Sequence, residues 1–129
     1  MELFKEVDEL KTKEQWINEL NVEAHPEGGF YLRTEESKET MTRNNKTRKL
    51  YTSIYFVLTE ESPSHFHQLT ADEIWYYHDG EPLTVHCIYE DGSYEAVKIG
   101  KNTEQGERLH FYVPAGTIFG STVDNDYSL

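Results

Sequence analysis

The run Ser64–Gly80 reads SHFHQLTADEIWYYHDG and places residues that could do chemistry at a telling spacing. His65 and His67 are two apart, Glu73 follows after five intervening residues, and Gly80 closes the run. Residues two apart on a β-strand point to one face, so both imidazoles can converge and a carboxylate from the next strand can join them. Imidazole and carboxylate together suit divalent transition metals such as Mn, Fe, Co, Ni or Zn. Without a metal, the same groups serve as general acid and base. An H-x-H pair alone is a weak signal in a β-rich chain. The full spacing, set between strand-like runs, is a stronger one.

Strand alternation then sorts the neighbours. If Glu73 points inward, Trp75 and Tyr77 follow it, while Ile74, Tyr76 and His78 take the other face. Phe119 lies with Thr117, and His86 shares a face with Thr84 and Ile88. The expected pocket is His65, His67, Glu73, Trp75, Tyr77 and Phe119, extended by Tyr55, His86, Tyr112 and Arg33. Aromatic walls with a few polar groups suit a small organic ligand such as a sugar. Arg33 is the candidate anion clamp, because guanidinium pairs bidentately with carboxylate or phosphate; a salt bridge to an acidic neighbour is the equal alternative. For His67 and Glu73 the structural alternative is a hydrogen bond that ties adjacent strands, since buried polar groups need partners. His25, ahead of Pro26, reads as a turn or interface residue and His78 as exposed. His86 and His110 divide evenly between core and pocket.

These residues need strands to hold them. LYTSIYFVL (50–58), SHFHQL (64–69), EIWYYH (73–78), LTVHCIY (83–89), SYEAVKIG (93–100), RLHFYVP (108–114) and TIFGSTV (117–123) alternate with turns rich in Gly, Asp and Pro. That spacing predicts a β-sandwich or barrel. Ahead of them, FKEVDELKTKEQWINEL (4–20) carries Phe4, Val7, Leu10, Trp16, Ile17 and Leu20 at roughly helical spacing. Thr12 and Gln15 form a capping-box pattern that predicts a helix over 13–20, docked through Trp16. HPEGG (25–29) breaks it, and FYLRT begins the first strand. The polar stretch 35–49 reads as an exposed loop or a hairpin with its tip at Asn44–Asn45.

The 129 residues predict one domain, divided into an N-terminal helical region (1–24) and a β-barrel (25–129). Aromatics make up 13% of the chain, which suits strands and a ring-lined pocket. A net charge of −12 argues against binding nucleic acid or an anionic membrane surface. The single cysteine, Cys87, cannot form an internal disulfide, and its apolar run marks it as a small buried hydrophobe. No secretory leader pattern and no run near the ~20 apolar residues of a membrane helix is present, so the expected location is cytoplasmic.

His65, His67, Glu73 and Gly80 match the first cupin motif, and Pro114 and Gly116 match the P-x-G of the second. Two departures stand out. LTEESPS precedes His65 where the motif has a Gly, and Phe119 stands where the second motif has its His. HPEGGFYLRT, TSIYFVL, S-x-F-H-x-x-x-x-DEIW, GEPL, VPAG and YSL together resemble a small uncharacterised cupin family once catalogued as a domain of unknown function, from about His25 to Leu129. Gln68 replaces the Arg that members carry after the motif His. Members also continue past YSL, so a final strand is expected to be truncated here.

The resemblance implies an all-β cupin double-stranded β-helix, or jelly-roll, with a pocket in the barrel mouth and a homodimeric assembly. It does not supply a reaction. A cupin metal site normally takes three His and one Glu. With Phe119 in place of one His, His65, His67 and Glu73 could still hold a divalent transition metal as a two-His-one-carboxylate set. Two main functions stay open. One is an isomerase or epimerase acting on a sugar derivative, with His67 as base, Glu73 orienting or protonating it, Tyr77 as proton donor, and Arg33, Tyr55, His65, Trp75, His86 and Phe119 around the ligand. The other is a module that binds such a metabolite without turnover. A metal-dependent oxygenase is a third alternative.

Overall fold

In a computed structural model, which describes residues 10–129, the Thr12 hydroxyl accepts from the Gln15 backbone N–H at 3.2 Å. The Gln15 side chain accepts from the Thr12 N–H at 2.8 Å. This reciprocal cap opens helix α1 (Lys13–Leu20), and Asn21 closes it in the left-handed conformation. Trp16, Ile17 and Leu20 pack with Val22, Phe30, Val57, Tyr127 and Leu129 in a cluster outside the main core. The docking expected of Trp16 is therefore observed. Phe4 and Val7, the start of the helical pattern, lie outside the described residues.

Twelve strands follow: β1 (Glu23–Ala24), β2 (Phe30–Glu36), β3 (Thr40–Arg43), β4 (Lys46–Lys49), β5 (Thr52–Thr59), β6 (Ser64–Gln68), β7 (Glu73–Tyr76), β8 (Leu83–Ile88), β9 (Tyr94–Ile99), β10 (His110–Val113), β11 (Ile118–Val123) and β12 (Tyr127–Ser128). One sheet has the order β1-β2-β5-β12 and another β6-β11-β8-β9, while β10 pairs β7 and β3 pairs β4. All these pairings are antiparallel. From β5 to β8 the chain changes sheet at each step: β5 lies beside β2, β6 and β8 flank β11 in a second sheet, and β7 lies in another beside β10. This is the jelly-roll connectivity that the motif resemblance implied. Within the stretch 35–49, Glu35 and Glu36 end β2 and residues 40–49 form a hairpin rather than an unstructured loop. Asn44 and Asn45 supply the two positive φ values, 52° and 63°, that a tight two-residue turn needs.

The core lies between the layers. Leu58, Leu83, Val85, Cys87, Val97, Ile99, Phe111, Val113, Phe119 and Val123 form one buried cluster, against which Phe56, Trp75, Tyr77 and Tyr89 pack. On β8 and β9 the inward positions are thus the odd-numbered ones. On β5 the even residues Phe56 and Leu58 face the core, and the odd Val57 faces the helix.

One irregularity governs the site. Across β6 and β11, Phe119 faces His67 but Ser121 faces Ser64, so two residues of β6, His65 and Phe66, stand opposite Gly120 alone. That is a β-bulge. A Cβ on Gly120 would come within 2.9 Å of the Ser64 carbonyl oxygen and 3.2 Å of the Phe66 nitrogen, so only glycine lets the bulged backbone lie this close.

Candidate functional site

β6 delivers His67 and β7 delivers Glu73 to the same end of the sandwich. The parity reading of β7 holds: Glu73, Trp75 and Tyr77 are partly buried, whereas Ile74, Tyr76 and His78 are exposed. The Trp75 indole N–H donates to Glu73 Oε2 at 2.8 Å. Burial is the largest influence on the Glu73 carboxyl and pushes it above the usual carboxylate range. The indole bond and the positive charge of a protonated His67 oppose the rise without cancelling it.

His67 is partly buried, and its ring centroid lies 4.5 Å from that of its cross-strand partner Phe119, which is 2% exposed. Phe119 therefore packs directly on the imidazole. His67 Nδ1 lies 2.7 Å from the His65 carbonyl oxygen. A carbonyl only accepts, so Nδ1 carries a proton, and in the neutral ring Nε2 is the nitrogen with the lone pair. The hydrogen bonds of Glu73 and His67 run to Trp75 and to the His65 backbone, not to each other. The strand-tie alternative is thus not what holds them.

Several expected members stand elsewhere. His65 is exposed, because the bulge breaks the alternation that would have aimed it with His67. Among the described residues no group of three or more His, Cys, Asp and Glu is placed to hold a metal ion. The expected set of His65, His67 and Glu73 is therefore not assembled, and the side chains present do not fit the metal that the fold family implies.

His86 lies on the outer face of β8, where Nδ1 meets the Tyr94 hydroxyl at 2.7 Å and Nε2 the Thr122 hydroxyl at 2.9 Å. With Val85 and Cys87 inward, His86 must point out. Tyr55 takes the odd, helix-side parity of β5 and meets the His78 ring edge-on at 6.4 Å. Tyr112 is outward for the same reason, between the buried Phe111 and Val113. Tyr77 does face the core, but its hydroxyl donates to the Gly80 carbonyl at 2.7 Å. It sits four residues along from Glu73, about 13 Å of extended chain away, and cannot be the proton donor. Arg33 shares the inward parity of Tyr31 on β2 but is exposed and paired with Glu36 at 3.5 Å. The salt-bridge alternative is the one observed. His110 is exposed and stacks on Tyr76.

The HPEGG turn supplies a wall. His25 Nδ1 accepts from the Glu27 N–H at 2.9 Å, and the Glu27 carbonyl accepts from the His65 N–H at 2.7 Å. A Cβ on Gly28 would fall 1.9 Å from the Pro63 carbonyl oxygen, so this glycine lets the turn lie against the segment leading into β6. Rings then run edge-on from Tyr31 to His25 (4.8 Å), from His25 to Phe56 (5.9 Å) and from Phe56 to Trp75 (5.8 Å).

Sequence reading missed one pair at this end. The Tyr89 hydroxyl donates to Glu95 Oε1 at 2.6 Å. Burial, reinforced by that bond, pushes the Tyr89 phenol far above its ordinary value. The signal was the EDG turn: a hairpin there pairs Ile88 with Tyr94 and puts residues 89 and 95 on one face.

Residues 14–129 match the family described as Cupin superfamily (DUF985). Uncharacterized protein YML079W of Saccharomyces cerevisiae (strain ATCC 204508 / S288c) is 31% identical over 120 residues, covering 84% of this chain. The chain spans only 59% of that relative's length. Among solved structures, a hypothetical protein from Leishmania major aligns with a TM-score of 0.88 at 40% identity, over 92% of this chain and 77% of the other. Protein SO0799 from Shewanella oneidensis aligns with a TM-score of 0.85 at 40% identity, over 92% and 74% of the two chains.

Proposed function

The chain belongs to the DUF985 family of the cupin superfamily, and on that premise we propose that it binds a small carbonyl-bearing metabolite, a sugar derivative, at the mouth of the sandwich and moves a proton on it. One observation carries this reading. His67 holds its Nδ1 proton on a backbone carbonyl, which leaves Nε2 as the basic nitrogen of the neutral ring, and it stands beside a carboxyl that burial has pushed up. A base and an acid are thereby separated by environment alone.

In the step, His67 Nε2 takes the proton from the carbon next to the carbonyl. The electron pair of that C–H bond moves to form the enol double bond. The carbonyl oxygen takes the proton from Glu73. His67 then returns its proton to the same carbon or to the former carbonyl carbon while Glu73 takes back a proton from the oxygen whose carbonyl re-forms, so the reaction is an epimerisation or, where the neighbouring carbon carries a hydroxyl, an isomerisation, with no net redox change. Nothing is routed through a metal, because the donor set for one is not assembled. Binding without turnover is the second reading. The apolar Phe119 ring against His67 favours it, by limiting where a substrate carbon can approach.

The test is deuterium uptake from D2O into a panel of aldoses, ketoses and sugar acids, read by mass spectrometry. Wild-type protein should label the carbon next to the carbonyl in at least one of them. His67→Asn should lower the rate by about 10²–10⁴-fold, the usual worth of a positioned base. Equal labelling by wild type and variant would refute the assignment. A melting-temperature rise with no labelling would favour the second reading.

A further inference from the structure

β12 lies between two neighbours. Ser128 pairs with Leu58 of β5 on one side and bridges Gly80 on the other. There the Leu129 N–H donates to the Asp79 carbonyl at 2.9 Å, and the Asp79 N–H donates to the Leu129 carbonyl at 3.0 Å. The His78 N–H reaches the same carbonyl at 2.8 Å, so His78 and Asp79 form a bulge opposite Leu129. β5 and the chain leaving β7 are thus held two strand spacings apart, about 10 Å. Tyr55 meets His78 and Phe56 meets Trp75 further along, so the two strands stay abreast towards Thr52 and Glu73, whereas β12 ends at Ser128. Between residues 52–57 and 73–77 the sheet therefore has a slot one strand wide, which no strand of the described residues enters.

Both walls turn backbone groups to this slot. In an antiparallel ladder alternate residues bond the same neighbour. The Glu60 N–H donates to the Asp126 carbonyl across the β5–β12 pairing, so the even-numbered residues of β5 aim their N–H and C=O groups to that side. Those of Leu58 meet Ser128, while those of Ile54 and Phe56 meet no strand. On β7 the Tyr77 N–H donates to the Leu109 carbonyl beside β10, so the odd-numbered residues bond β10 and Ile74 and Tyr76 aim theirs into the slot.

We propose that the slot takes an extended peptide segment of another polypeptide, which enters as a strand in line with β12 and antiparallel to both β5 and β7. Such a segment bonds on both sides, as a central strand does, and its main chain supplies the affinity. Its alternate side chains supply the specificity. Those aimed at the core meet the Phe56 and Trp75 rings, 5.8 Å apart, and must be as small as alanine. Those aimed outward lie beside Tyr55 and His78, where β-branched residues fit. A second copy of this chain is the poorer occupant, because each of its twelve described strands is already paired. Peptide capture here is independent of the proton transfer above, although Glu73 and Trp75 border both.

Amide hydrogen exchange by NMR tests this on the unaltered protein. The probe is the uncharged peptide acetyl-Thr-Ala-Val-Ala-Thr-amide. Two controls are the same peptide N-methylated at the valine, which removes a main-chain donor, and the peptide with phenylalanine for both alanines, which is too large for the core side. Saturating probe should slow exchange at Ile54, Phe56, Ile74 and Tyr76 by about ten-fold or more, since each amide gains a partner. Tyr55 and Trp75, whose amides bond β2 and β10, should change by less than about two-fold. The Trp75 indole resonance should shift and that of Trp16, bonded to Asp79 at the helix, should stay. Both control peptides should lose the effect. No protection at the four amides, equal protection by either control peptide, or protection that falls on Tyr55 and Trp75 instead would each overturn the proposal. So would slow exchange at the four amides without peptide in a protein that sediments as a dimer, because a second copy would then fill the slot.

Discussion

Gly120→Ala is the most searching perturbation of the fold around the site. The added methyl carbon would lie 2.9 Å from the Ser64 carbonyl oxygen, 3.2 Å from the Phe66 nitrogen and 3.4 Å from the His65 carbonyl carbon. All three are backbone atoms of the bulge, so no side chain can rotate away, and β6 must move. Overpacking of this kind costs about 1–3 kcal/mol. For a domain of this size 1 kcal/mol corresponds to roughly 4 °C, which gives a fall in Tm of about 4–12 °C. Because Phe119 and His67 are cross-strand partners one residue away, the His67 ring resonances should shift as well. Calorimetry with a side-chain NMR spectrum measures both. A Tm within about 1 °C of wild type, well below the expected overpacking cost, would show that Gly120 does not accommodate a bulge, and the explanation for the outward His65 would fail with it.

The other perturbations separate stability from chemistry. Tyr77→Phe should cost about 1 kcal/mol through the lost bond to Gly80 and leave deuterium uptake unchanged in a labelling assay, since its hydroxyl serves the fold. Asp79→Asn should cost about 2–3 kcal/mol in urea unfolding, because Asp79 Oδ2 accepts from Trp16 Nε1 at 2.9 Å and from the Tyr127 hydroxyl at 2.7 Å. Burial alone would raise the Asp79 carboxyl, but those bonds hold it below its ordinary value, while Tyr127 is pushed up to about 12. The Asp79 contribution is thus full above the unfolded carboxylate value and fades as pH falls through the lower folded one, so wild type and variant should converge in acid. Glu73→Gln should behave oppositely. Its carboxyl is raised on folding, so wild-type stability falls as pH rises from the unfolded value through the folded one, by about 1.4 kcal/mol per unit of difference. The glutamine variant should therefore be the more stable protein at pH 7 and lose that advantage below pH ~4.

Much of the scaffold was legible because it depends on local rules. The Thr12–Gln15 cap, the Asn44–Asn45 turn and the alternation of residues 73, 75 and 77 each follow from a few adjacent side chains. The site was legible only where one strand was regular. Two-residue alternation sends His65 with His67, but the bulge depends on Gly120, more than fifty residues away, and no local pattern announces it. Tyr55 was misplaced because β5 is apolar or aromatic on either face, so its inward parity is set only by which residues reach the core. His86 was legible: on β8 the apolar Leu83, Val85 and Cys87 alternate with Thr84 and His86, which puts His86 on the outer face. Arg33 and Tyr77 lie on inward positions yet are committed to Glu36 and Gly80, partners that side-chain type alone does not disclose.

The most direct measurement is the titration of the Glu73 carboxyl by carbon NMR, assigned by its loss in Glu73→Gln and repeated in His67→Asn. Burial beside Trp75 should make it titrate above the ordinary glutamate value, and removal of the His67 charge should raise it further. Titration at or below the ordinary value, or no response to His67→Asn, would show that the two groups do not form an acid and a base facing one ligand.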